Sequence, residues 1–105
     1  MISHEILEEA ARRLVEKFHP DKIILFGSQA RGTADEHSDV DILVIQPIKG
    51  NRRNLLMEMY YALSGLGFAR DIILLSPEEF DRDRLIPGTI ARPAWKEGKV
   101  LYECR

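Results

Sequence analysis

Ile23-Ile24-Leu25-Phe26-Gly27-Ser28 and, ten residues on, Asp39-Val40-Asp41-Ile42-Leu43-Val44-Ile45 are the stretches on which the fold of this 105-residue chain turns. The first is apolar, β-branched at its start and closed by a glycine, which predicts a short strand buried on both faces. The second alternates: Val40, Ile42 and Val44 fall on one face of a strand, Asp39 and Asp41 on the other. Residues 28–38 are small and polar, with room for one short helical turn around Ser28–Arg31.

Outward from this centre, strands and helices alternate. Leu7, Ala10, Ala11, Leu14, Val15 and Phe18 form one apolar stripe at helical spacing. Ser3 is placed to cap that helix, Glu5 suits its positive end, and His19-Pro20 stops it. Leu55, Leu56, Met59, Ala62, Leu63 and Leu66 mark a helix from about Asn51, with Gly67 as its C-terminal cap. Asp71 to Leu75 reads as a third strand. Ser76-Pro77-Glu78-Glu79 combines a capping box with proline at the first helical position. A last helix is expected over about Thr89 to Glu97, kinked or delayed by Pro93 and ended by Gly98, before an edge strand at Val100-Leu101-Tyr102. This alternation is α/β, and the length leaves room for one domain, residues 1–105.

Composition excludes several functions. Lys and Arg number 15 against 17 Asp and Glu, a net charge of −2, so there is no bulk attraction for nucleic acid. Cys104 is the only cysteine, so neither an internal disulfide nor a thiolate zinc site can form. No apolar run approaches the ~20 residues that cross a bilayer. Glu5, Glu8 and Glu9 interrupt any signal-peptide pattern, and a cytoplasmic location is expected.

The chemistry lies between Gly27 and Asp41. Carboxylates at i and i+2 of a strand have Cα atoms about 6.6 Å apart. At an effective dielectric near 20 they repel by about 2.5 kcal/mol. A divalent cation offsets that repulsion, and hard oxygen ligands on a rigid strand suit Mg²⁺ with a substrate phosphate alongside. An isolated Asp-x-Asp more often lines a solvated sheet face, but here a Gly-Ser turn precedes it. The bare Gly27 allows close backbone approach, and the amides and hydroxyl of Ser28 can cradle phosphate oxygens. Asp71, preceded by Arg70, joins the cluster if the third strand lies beside the second; otherwise the two form an Arg-Asp pair in solvent.

Gly27-Ser28-Gln29-Ala30-Arg31-Gly32 followed by Ser38-Asp39-Val40-Asp41-Ile42-Leu43-Val44 resembles the signature of the DNA polymerase β-like nucleotidyltransferases. More narrowly it resembles the minimal nucleotidyltransferases, and the likeness extends through Arg70-Asp71-Ile72-Ile73-Leu74 to the tail at Ile90-Ala91-Arg92 and Glu97 to Glu103. The resemblance implies a small mixed sheet flanked by helices. It implies that Asp39 and Asp41 bind two Mg²⁺ ions and that Asp71 completes the cluster and activates the acceptor. Gly27 and Ser28 would hold the β- and γ-phosphates of ATP, and Arg31 would support a phosphate or the turn. Pro93 departs from the family's uninterrupted last helix.

The same resemblance implies a companion HEPN protein, an RNase toxin, neutralised by AMPylation. A chain this short has no acceptor domain of its own, so the acceptor is expected on another molecule. Two other functions compete with this one: a non-catalytic antitoxin that masks the toxin by binding, and a small-molecule nucleotidyltransferase working as a homodimer. Among lesser candidates, Lys49, Arg52 and Arg53 precede a helix and read first as a solvated turn, with triphosphate contact second. His37 reads as a loop residue. Trp95, Tyr102 and Phe80 read first as core, with a partner surface near the C-terminus as the alternative, and at least one ring of Tyr60-Tyr61 should be buried.

Overall fold

The computed structural model describes residues 3–27, 30 and 39–104. Helix α1 spans His4–Phe18; the Ser3 hydroxyl accepts the Ile6 N–H at 3.2 Å, and Leu7, Ala10 and Leu14 are its buried face. His19 ends it in the left-handed conformation (φ 51°) and returns its N–H to the Val15 carbonyl. Strand β1 (Lys22–Phe26) follows after Pro20, then β2 (Val40–Ile45). Helix α2 is Arg52–Ala62, capped by the Asn51 side chain. Then come β3 (Arg70–Leu75), α3 (Pro77–Asp83), α4 (Ala91–Glu97) and β4 (Lys99–Glu103).

The strands form one mixed sheet in the order β3-β2-β1-β4. β1 runs antiparallel to both β2 and β4, whereas β2 and β3 are parallel. Parallel neighbours need a crossover, and α2 supplies it. One face, carrying Ile23, Leu25, Val40, Ile42, Val44, Ile72 and Leu74, packs against α1 and α2. The other, with Ile24, Leu43 and Ile45, is covered by Phe80 of α3 and Ala91 and Ala94 of α4. β1 is therefore buried on both sides, as its apolar run predicts. Among the described residues, no helix is long and apolar enough to cross a membrane.

Two helix boundaries differ from expectation. α2 stops at Ala62 rather than running to Gly67, and Gly65 and Gly67 both take positive φ in the turn that follows. The reason lies on another element: Arg13 of α1 donates to the carbonyls of Ala62 and Ser64 at 3.2 and 3.1 Å, capping the end of α2 with a cation. Leu66 still packs on the core from outside the helix. At α4, Pro93 delays rather than kinks. It is the third residue of the helix, where its missing N–H would have had no intrahelical acceptor. Gly98 ends α4 in an extended conformation, packed so closely on the Ala94 carbonyl and Ile24 that a Cβ would not fit.

Phe80 is buried and Tyr102 half-buried, but Trp95 is 44% exposed, with the Arg84 guanidinium 5.0 Å over its ring. Tyr60 is half-buried and Tyr61 points to solvent. Arg52 is not a free cation near a substrate. It forms two bonds of 2.9 and 2.8 Å to Glu79 and one of 3.3 Å to the Leu74 carbonyl, tying α2 to α3 around the far end of β3.

Glu79 also completes the capping box, accepting the Ser76 N–H at 2.8 Å. The Arg52 guanidinium, and then that N–H, hold its carboxyl at about 2, below its ordinary 4.5. A folded value below the unfolded one means a contribution that is full above pH 4.5 and lost as the pH falls towards 2. Glu79→Gln is expected to lower stability at neutral pH by about 1 kcal/mol. Thermal melts should show the gap to wild type closing through that acid window; a gap unchanged down to the lowest pH would count against the ion pair.

Candidate active site

The parallel register of β2 and β3 pairs Val40 with Arg70, Asp41 with Asp71 and Ile42 with Ile72. The Val40 N–H, bonded to the Ala69 carbonyl at 2.9 Å, pins the start of this ladder. Residues directly opposite one another share a face, so Asp41 and Asp71 lie side by side on the face opposite the α1/α2 core. On the other side of Asp41, β1 contributes Phe26 to the same row. Asp39 stands two residues upstream, just outside β2 and exposed; Asp71 is exposed and Asp41 half-buried. The three acids thus gather at the ends of two neighbouring strands, on the face that α3 and α4 cover elsewhere.

Among the described residues, neither Asp39 nor Asp71 has a cationic partner. Arg70 does not form the alternative solvent pair with Asp71. Its guanidinium turns to the other face, donating to the carbonyls of Tyr60 (3.1 Å) and Phe68 (3.0 Å) and lying 5.4 Å from the Phe68 ring. The register brings acids together but does not preassemble a metal centre: among the described residues, no three His, Cys, Asp or Glu are arranged to hold an ion.

Gly27 is where the turn and the acids meet. Its φ is +75°, a conformation that L side chains rarely adopt, and a Cβ built there would lie 2.3 Å from the Asp41 Oδ2. The Asp41 carboxylate therefore rests on a bare Cα. Ser28, Arg31 and His37, also singled out from the sequence, lie outside the described residues; Ala30 between them is buried in the core on the α1/α2 side. Two cavities lie elsewhere. One of about 300 Å³ opens beside Phe18, Gln46 and Leu55, and another of about 240 Å³ beside Lys22, Ile45 and Phe80, both at the opposite end of β2.

Sequence reasoning missed the support behind Asp71. The Tyr60 hydroxyl accepts the Ile72 N–H at 2.9 Å, a contact that helical spacing in α2 cannot announce.

Gly27 and Gly67 have nearly the same φ, but only Gly27 has an atom in the way. Gly67→Ala should cost about 1–2 kcal/mol through backbone strain alone. Gly27→Ala should cost more, and denaturant titration should show the excess disappearing in an Asp41→Ala background. Equal costs for the two alanines would mean that the carboxylate does not rest on Gly27.

Residues 7–99 match the model of a family described as the nucleotidyltransferase domain. The chain is 32% identical over 104 residues to "Putative protein adenylyltransferase MJ0604" of Methanocaldococcus jannaschii, covering 97% of this chain and 100% of that protein. "Putative protein adenylyltransferase MJ1305" of the same organism is 52% identical over 52 residues, 48% of this chain, and the match spans only 35% of its length. Among solved structures, one of the toxin-antitoxin MntA-HpeT superposes with a TM-score of 0.69 at 19% identity, over 94% of this chain and 74% of that one. A toxin-antitoxin solved with AMP-PNP gives 0.63 at 22% identity, over 93% and 74%. At these identities the superpositions establish a shared fold. The family match over most of the length and the full-length relative establish descent: the chain belongs to the nucleotidyltransferase domain family.

Proposed function

We propose that this protein transfers AMP from ATP to a hydroxyl of a partner protein, a HEPN-type RNase toxin, with Mg²⁺, and thereby acts as its antitoxin in the cytoplasm. The observation that carries this reading is the row formed by Asp41 and Asp71, with Asp39 upstream and Gly27 bare beneath Asp41. Support for the substrates comes from relatives named as protein adenylyltransferases and from a toxin-antitoxin neighbour solved with AMP-PNP. Residues 1–105 act as one nucleotidyltransferase domain in this reading.

The donor set fits the metal. Three carboxylates supply hard oxygens, and two of them have no cation beside them among the described residues. Asp39 and Asp41 would hold two Mg²⁺ ions with Asp71 completing the set; the bound cations supply neutralisation of phosphate and leaving-group charge. The chain's own residues do the rest. Gly27 and Ser28 would hold the β- and γ-phosphates, and Arg31 would support a phosphate or the turn. Asp71 takes the proton of the acceptor hydroxyl. The hydroxyl oxygen then bonds the α-phosphorus as the bond to the bridging oxygen breaks, and pyrophosphate leaves with that electron pair.

One observation favours a second reading, in which the protein masks the toxin without modifying it. Leu85, Ile86, Ile90 and Trp95 all expose apolar surface around α4, on the side of the sheet that carries the acids. The two readings separate by experiment. Isothermal titration should show Mg²⁺-dependent ATP binding that is lost in Asp39→Asn/Asp41→Asn; equal affinity in the double variant would refute the metal assignment. Asp71→Asn should retain ATP binding and the complex with the toxin while slowing transfer by about 10²–10⁴-fold. Mass spectrometry of the co-expressed toxin should find added AMP with the wild type and only a trace with Asp71→Asn. Full protection of cells without any adduct would establish masking instead.

A further inference from the structure

Both sequence neighbours of Asp71 are tied to a single residue of α2. Arg70 donates through Nη2 to the Tyr60 carbonyl at 3.1 Å, and the Ile72 N–H is accepted by the Tyr60 hydroxyl at 2.9 Å. Among the described residues β3 is an edge strand, with β2 its only neighbour. The ladder to β2 runs through the carbonyls of Ala69 and Leu75, positions that alternate in phase with Asp71. Arg70, Ile72 and Leu74 therefore point their backbone groups away from the sheet, where no strand of the described residues meets them. Tyr60 serves Ile72, and Arg52 serves the Leu74 carbonyl at 3.3 Å. The edge is closed by α2 rather than by another strand.

We propose that Tyr60 is a positioning residue for Asp71: its hydroxyl and carbonyl clamp the two residues that flank the acid, holding it opposite Asp41. The proposal rests on Asp71 as the group that takes the acceptor proton. The half-buried Tyr60 approaches β3 from the α1/α2 side, opposite the acids, so it touches neither nucleotide nor acceptor. Its effect passes through the backbone of β3. An edge strand held on one side only is free to shift, and a displacement near 1 Å at a reacting group is worth up to about 10²-fold in rate.

Tyr60→Phe keeps the ring and removes only the hydroxyl. In the full-length protein, hydrogen exchange at the Ile72 amide should accelerate about tenfold or more, with Val44 in the central strand unchanged. AMP transfer to the co-expressed toxin should slow about tenfold in kcat with the KM for ATP unaltered. In an Asp71→Asn background the same substitution should produce no further slowing, because the residue through which it acts is already gone. Arg70→Met, which cuts the second tie, should reproduce the pattern if Tyr60→Phe proves poorly folded. Tyr61→Phe, at an exposed ring, is the control that leaves all three readouts in place. An unchanged Ile72 exchange rate, an unchanged kcat, or equal slowing with and without the Asp71 carboxylate overturns the assignment. Absence of transfer by the wild type overturns the reading of Asp71 itself, and the role of Tyr60 with it.

Discussion

Six consecutive residue pairs, from Val40 opposite Arg70 to Ile45 opposite Leu75, hold β2 and β3 in parallel, and the rest of the molecule depends on that register. Side chains alternate along a strand, so a slip of one residue would turn Asp71 into the core and bring Ile72 to the open face. The slip is prevented by packing. Val40, Ile42 and Val44 of one strand and Ile72 and Leu74 of the other are buried together beneath α1 and α2. The acids have no attraction for each other, and their proximity is imposed by the apolar residues between them. Core formation and site formation are the same event.

Much of this was legible in the sequence because it is local. The apolar stripe of α1, the Ser3 and Asn51 caps, the capping box at Ser76 and the strands at 22–26, 40–45 and 70–75 follow from spacing and turn chemistry. The grouping of Asp39, Asp41 and Asp71 at one end of the sheet was also legible, though only through the pattern as a whole. What escaped was set by residues distant in the chain. Arg13 meets the end of α2 from a position 49 residues away, the exposed Arg52 pairs with Glu79 of α3, and Arg70 reaches the Phe68 ring on the face away from Asp71. Trp95 departs from the core expectation for a related reason: it is 44% exposed, with the Arg84 guanidinium over its ring. Each miss is a long side chain whose partner no periodicity can name.

The two edges of the sheet are managed differently. At β3, Tyr60 and Arg52 reach over from α2 and satisfy outward backbone groups. β4 is short, begins with a lysine, and carries a register shift opposite Ile23 and Ile24 that leaves Leu101 out of the pairing. Those are devices that discourage another strand from adding on. The capped edge is the one next to Asp71, where strand position matters for chemistry; the merely blunted edge is remote from it.

The central place of β1 has a kinetic meaning. Its two partners come from opposite extremes of the remaining chain: β2 follows within a short span, whereas the pairing of Lys22 with Glu103 closes a loop of about 80 residues. Contacts of such wide sequence separation form late, because loop-closure entropy is lost before they reward it. The antiparallel β1–β2 pair can assemble early against α1. α4 and β4 seat together, since Gly98 joins the two elements and lies against Ile24 of β1 without room for a Cβ. The last joint of the fold thus runs through one glycine, and refolding should be limited by the arrival of that corner rather than by the strands that carry the acids.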